Sequence, residues 1–311
     1  MSFPRRLTYP FPLCLTLCLV LTGGPVLKAA DTDQVLVTVN GQPVTQADLN
    51  FARLSRGITG NQQAVNKQLL ENLVDQRLIR EFLAQQKITV PPKQLDESVL
   101  KVEKFIRKKG DDPHQVLTKM GFTPEKLRAA IALPLAWNIY AQREISLEKL
   151  QNYFDAHREE LDGTRVAASH ILLKLPANAS SDEIRNAKQK LADLRQQIQS
   201  GKLSFAEAAA QYSEAPSKTD GGKLVTSAYR GKMPLVLTQH VFPLKEGEIS
   251  EPFQSPFGMH LIILDKKHPG QFSLEDVRGE IYQILSSALY DQTVQKLRGT
   301  AKIEWTAETK S

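Results

Sequence analysis

Apolar positions recur along this chain with two periods, and the period marks out the elements. Val35-Leu-Val-Thr-Val39 and Gln42-Pro-Val44 read as two short strands around an Asn40-Gly41 turn, the dipeptide that hairpins favour. Thr45 then opens a helix. From Asn61 to Gln86, Val65, Leu69, Leu73, Leu78, Ile79 and Leu83 return at helical spacing, which predicts a long amphipathic helix. Pro91-Pro92 marks a break. Lys93 to Lys109 is the next helix, with Val99, Val102, Phe105 and Ile106 apolar and a solvated basic face from Lys101 to Lys109. Thr123 caps a helix through Leu127, Ile131, Leu135 and Ile139, with a kink expected at Pro134. One more helix is expected from Ser146 to Leu161.

After Asp162-Gly163-Thr164, a natural boundary, the pattern changes. Val166 to Lys174 and Ser255 to Leu264 are tight apolar runs with β-branched residues, so each reads as a buried strand. Between them, Ser180-x-x-Glu183 is a capping box ahead of Ile184, Ala187, Leu191, Leu194 and Ile198, and Gly201 stops that helix. Ser204 to Tyr212 is a shorter helix, and Gly231 to Leu244 a third, with Pro234 suited to its first turn. The expected order is strand, two helices, strand, helix, two strands. Ser273 to Leu297 is a last helix and Lys302 to Trp305 a short strand.

Each long strand carries one histidine, His170 and His260. An imidazole within an apolar strand has two ring nitrogens to satisfy. Two readings follow: each is a core residue with its own hydrogen bond, or the strands pair and each ring is the other's partner. The pair lacks the spacing and companion ligands of a metal site.

Ser169-His170-Ile-Leu, Ser204-Phe205-Ala-Glu, Tyr212-Ser213-Glu, Gly221-Gly222-x-Leu224, Phe242-x-Leu244-x-x-Gly247-Glu-Ile-Ser250 and Phe257-Gly258-Met-His260 together resemble the parvulin-type peptidyl-prolyl isomerases, in order and spacing. The resemblance implies an α+β domain, a four-stranded antiparallel sheet with flanking helices. It also implies that His170, His260 and Ser255 form a hydrogen-bond network under the substrate, with no nucleophile and no cofactor. Met233, Leu237 and Phe242 would grip the proline ring; read from residues alone they are equally the core of the third helix. Three positions depart from the family pattern. Glu214-Ala215 stands where Cys or Asp is common, Leu237 where Phe is common, and Val225-Thr226 where Gly and an aromatic are common.

The helical half resembles the N-terminal domains of SurA/PrsA-type foldases, a looser match in which the C-terminal segment packs back on the N-terminal domain. The expected divisions are a leader at 1–30, a helical domain at 31–163, a parvulin domain at 164–268 and a C-terminal helix at 269–311. Residues 1–30 hold Arg5, Arg6 and Lys28, no acid, and an apolar run too short to span a bilayer, the pattern of a signal peptide. An uncleaved leader would be the one route to membrane association. Both cysteines, Cys14 and Cys18, fall there, so a chain beginning at Asp31 has no thiol. Three of the cations behind the net charge of +6 are leader residues, and no basic patch is interleaved with aromatics, which argues against nucleic acid. The expectation is an exported isomerase and folding factor acting on unfolded or proline-containing polypeptides. The alternatives are a holdase chaperone, or an accessory of secretion or exopolysaccharide export, with a weak or inactive parvulin domain.

Overall fold

The computed structural model describes residues 34–58, 63–119 and 122–306, so the leader expected at 1–30 lies outside the described residues. The chain divides into two compact units. One is formed by residues up to Ser146 together with those from Tyr282 onward, the other by Leu147–Ile281.

The first unit opens with β1 (Val35–Val39) and β2 (Gln42–Thr45). Asn40 and Gly41 both take positive φ, 49° and 79°, as a two-residue turn between antiparallel strands requires. Five helices follow: α1 (Gln46–Leu54), α2 (Gln63–Gln85), α3 (Pro92–Lys108), α4 (Pro113–Lys119) and α5 (Pro124–Glu144). Thr45 and Asp48 close a capping box on α1. The break expected at Pro91-Pro92 separates α2 from α3: Pro91 is the N-cap and Pro92 the first residue of α3, where its fixed φ suits the first turn. α4 was not anticipated. Asp112 accepts the Gln115 N–H at its start and Pro113 follows, a local signal visible in the sequence. α5 runs on through Pro134.

The second unit begins with α6 (Leu147–Ala156) and α7 (Arg158–Leu161), two helices where the periodicity predicts one. It continues through β3 (Arg165–Lys174), α8 (Ser181–Gln199), α9 (Phe205–Tyr212), a 3-10 turn at Pro216–Asp220, β4 (Ser227–Ala228), α10 (Leu235–Val241), β5 (Phe253–Ser255) and β6 (Gly258–His268). The four strands form an antiparallel sheet in the order β4-β3-β6-β5. Capping boxes at Ser180/Glu183 and Ser204/Glu207 start α8 and α9.

This sheet has an apolar layer on each face, as its alternation demands. Ile171 and Leu173 of β3, with Met259 and Leu261 of β6, join Leu191, Leu194, Phe205 and Ala208 of α8 and α9. Val166 and Ala168, with Ile262 and Leu264, join Leu237 and Val241 of α10. A bulge between Ala167 and Ala168 shifts the register once, so that Ala168 lies opposite Leu264. Each fully buried aliphatic side chain contributes on the order of 1.5–3 kcal/mol, so both layers stabilise the central β3–β6 pair.

The chain closes with α11 (Leu274–Arg298) and β7 (Ile303–Trp305). β7 pairs with β1, giving the first unit a sheet in the order β2-β1-β7. In the same unit Trp137 donates to Ser286 Oγ at 3.1 Å, and Tyr282 donates to Asn138 Oδ1 at 2.8 Å. Arg298 reaches Asp75 Oδ1 at 2.5 Å and Glu71 Oε2 at 2.7 Å.

Candidate active site

β3 and β6 lie side by side, and their register sets the site. His170 is opposite Ile262 and His260 opposite Leu172, so the histidines are diagonal neighbours on adjacent strands. The 2-residue period puts both on the face that carries α10. Their ring centroids are 5.6 Å apart with planes 28° from parallel. His260 is 2% exposed and His170 7%.

No hydrogen bond joins the two rings, which corrects the expectation that each is the other's partner. The diagonal register stacks the imidazoles instead. His260 Nε2 lies 2.7 Å from Ser255 Oγ, and that hydroxyl also accepts the Phe257 N–H at 3.0 Å. The Nδ1 atoms of His170 and His260 are buried and make no hydrogen bond to the described residues. Burial, then the neighbouring His170 and His240, push the His260 pKa down to about 4. Burial lowers His170 and His240 as well. The site therefore holds neutral imidazoles at physiological pH.

Aromatic rings extend the stack. Phe253 lies opposite His260 across the β5–β6 pair, with the rings 5.4 Å apart and 14° from parallel. His240 of α10 meets Phe253 edge-on at 3.7 Å. Neither residue was singled out in the sequence. The alternation that faces Ser255 inward also faces Phe253 inward, so that signal was available.

Met233, Leu237 and Phe242 come together in one buried cluster with Phe253. α10 is shorter than expected, and only Leu237 of the three lies within it. Met233 precedes the helix, its N–H held by Ser227 Oγ at 3.1 Å, and Phe242 is the C-terminal cap. Pro234 has no N–H and sits at the N-cap, one position earlier than the first turn. All three side chains are at most 6% exposed, so they serve as core of this face whatever else they do.

The other edge of β3 is shaped by the Tyr212–Ala215 segment. Leu172 N–H donates to Ser213 Oγ at 3.2 Å, and Glu214 N–H donates to Leu172 O at 2.7 Å. The Glu214 carboxylate accepts the Lys174 N–H at 2.5 Å. Ala215 is buried and brings no polar side chain. His170 N–H donates to Gly222 O at 2.8 Å. A Cβ on Gly222 would stand 2.4 Å from His170 O, and Gly222 has φ +83°, so this close approach admits only glycine.

Among the described residues no group of three or more metal-ligating side chains occurs. Nor do those residues form a helix long and apolar enough to cross a membrane. The arrangement gathers an apolar layer, two uncharged imidazoles and a hydroxyl on one face of the sheet, away from water.

Residues 170–266 match the family model described as the PPIC-type PPIASE domain. Residues 11–139 match the SurA-like N-terminal domain. The chain is 23% identical over 89% of its length to Chaperone SurA of Methylobacillus flagellatus, and 24% identical over 81% to Chaperone SurA of Thiobacillus denitrificans. It spans less than two thirds of the length of each, 66% and 62%. It is 25% identical to the putative peptidyl-prolyl cis-trans isomerase SurA of Haemophilus influenzae, over 98% of this chain and 99% of that one. Among solved structures, peptidylprolyl isomerase PrsA of Bacillus cereus aligns over 89% of this chain and 96% of that chain, with a TM-score of 0.49 and 21% identity.

Proposed function

We propose, from the premise that this chain joins a SurA-like N-terminal domain to a PPIC-type isomerase domain, that it is an exported folding factor that accelerates X–Pro isomerisation in unfolded polypeptides. The observation that carries the reading is the buried, uncharged His170–His260 pair, in which His260 is hydrogen-bonded to Ser255 and stacks on Phe253 of the Met233–Leu237–Phe242 cluster.

The peptide C–N bond resists rotation by about 20 kcal/mol because of its partial double-bond character. Catalysis needs an environment that binds the twisted amide better than the planar one. A twisted amide loses resonance, so its carbonyl oxygen carries less charge and is less dependent on water. An apolar floor with neutral imidazoles favours that state by withdrawing solvent from the carbonyl. His170, His260 and Ser255 shape the floor, and the Met233–Leu237–Phe242 face receives the ring. No covalent step is involved.

The assay is cis–trans exchange in a succinyl-Ala-Leu-Pro-Phe anilide peptide with the full chain added. Exchange above the uncatalysed rate is expected. A rate equal to the uncatalysed one would remove the isomerase reading and favour the holdase. One observation favours that second reading: Ala215 brings no polar side chain beside β3, and Glu214 turns its carboxylate to the Lys174 N–H, where the parvulin pattern commonly has Cys or Asp.

Export rests on the leader pattern of residues 1–30. Mass spectrometry of the envelope fraction should find a chain starting near Asp31; full-length protein confined to the cytoplasm would contradict it.

A further inference from the structure

We propose that Phe257 is a specificity-determining residue that selects an apolar side chain at the position immediately before proline. The inference rests on the isomerase reading only for where the X–Pro amide lies.

Phe257 is 59% exposed, although it adjoins the buried Ser255–His260 hydrogen bond. It sits with Pro256 in the two-residue turn between β5 and β6, where Ser255 pairs with Gly258. Its N–H holds Ser255 Oγ at 3.0 Å, and Ser255 holds His260 Nε2. That backbone role needs no aromatic ring, since any residue except proline supplies an N–H. Turns favour Gly, Asn, Asp or Ser, and a large exposed apolar side chain there adds nothing to folding. The ring is therefore free for a ligand.

The order of residues along β6 says which part of a ligand. Gly258 is next to the turn, His260 follows, and Ile262 and Leu264 lie under the α10 cluster. Successive strand residues advance by about 3.3 Å. An X–Pro unit spans about 3.8 Å between its two Cα atoms. With the amide over the histidines and the proline ring toward the α10 cluster, residue X lies on the remaining side, toward the turn and Phe257.

The charges at that end agree with an apolar X. Lys174 lies opposite Gly258, and its N–H is held by the Glu214 carboxylate. These bring one cation and one anion, and residues 175–180, which continue from β3, are uncharged. An apolar X removes surface from water against Phe257, whereas an acidic or phosphorylated X gains nothing from that contact.

The test is a series of succinyl-Ala-X-Pro-Phe anilide peptides, with X as Leu, Ala, Glu and phosphoserine. Both kcat/KM and affinity by isothermal titration are measured with the full chain. Leu is expected to exceed Glu by about tenfold or more, a ratio one apolar contact can supply. Phe257→Ala should reduce that ratio at least about fivefold, and Phe257→Leu should retain most of it. Wild-type protein that treats Leu, Glu and phosphoserine alike overturns the proposal. So does a Phe257→Ala variant with the wild-type ratio, including one that slows all peptides equally. The two readings separate cleanly. Selective binding without turnover keeps the role of Phe257 and removes the isomerase activity; turnover with neither rates nor affinities depending on X does the reverse.

Discussion

His260 gives the sharpest consequences at the scale of single residues. Its folded pKa of about 4 lies below the unfolded value of about 6.5, so the unfolded chain binds the extra proton between those values. Its neutral burial thus contributes stability in full above pH 6.5, and this is lost as the pH falls toward 4. The loss is on the order of 3 kcal/mol, and urea unfolding at pH 7.5 and 4.5 should show it. His260→Phe, which stays apolar and aromatic, should flatten that part of the profile; an unchanged profile would contradict the assignment. Met233→Ala removes a side chain only 6% exposed and should cost about 2–5 kcal/mol, the usual range for a truncated core methionine. It is therefore no mild probe of a binding surface. Gly222→Ala should cost more than the roughly 1 kcal/mol typical of a surface glycine change, because φ +83° and the His170 carbonyl both oppose a Cβ. Wild-type stability in that variant would show that the β3–Gly222 approach is looser than described. The histidines themselves were legible in the sequence as two strand residues, and the family resemblance joined them. What was not legible was the stack, because a diagonal register is a property of the strand pairing and not of either strand alone.

The elements were legible where a local device fixes them. Ser180 and Glu183 mark the start of α8, and Asn40-Gly41 the first hairpin, because each satisfies backbone groups or φ values within a few residues. Ser180→Ala should cost about 0.5–2 kcal/mol, measured by thermal unfolding; no change would mean that α8 starts independently of its cap. Elsewhere local signals were outweighed or overlooked. The helix expected from Ser146 to Leu161 is interrupted at His157, which has φ −124°. α10 is bounded by Pro234 before Leu235 and Pro243 after Phe242, so its seven residues are shorter than the apolar pattern suggests. β4 has two residues and pairs with β3 only at Arg165 and Val166, too short for any period to reveal.

At the scale of the whole molecule, the two kinds of surface point to two tasks. The first unit contains a cavity of about 280 Å³, lined in part by Val99, Leu117, Phe122, Leu127, Arg107 and Arg128, and α3 leaves Leu100 and Phe105 exposed. The histidine site lies in the other unit. We propose that the holding of unfolded chains belongs with the first unit. A variant lacking residues 165–267, its helix content verified by circular dichroism, should keep most of the full chain's suppression of client aggregation. If the isolated segment 165–267 held clients equally well, that division would be wrong. The sequence places a change of period near residue 164, whereas the two compact units divide after Ser146 and after Ile281, so α6 and α7 belong with the unit that holds the four-stranded sheet. The sequence did not reveal that β7 completes the β1–β2 sheet, because Ile303–Trp305 carries too few residues to announce a partner more than 260 positions away.

The most direct measurement is the proline-limited refolding of an unfolded client, followed with wild-type protein and with a His260→Gln variant whose fold is confirmed by near-ultraviolet circular dichroism. Wild-type protein at substoichiometric concentration is expected to accelerate the slow phase, and His260→Gln to lose about tenfold or more of that acceleration. A slow phase untouched by the wild type, or accelerated equally by a folded His260→Gln variant, would contradict a catalytic role for the buried histidine pair.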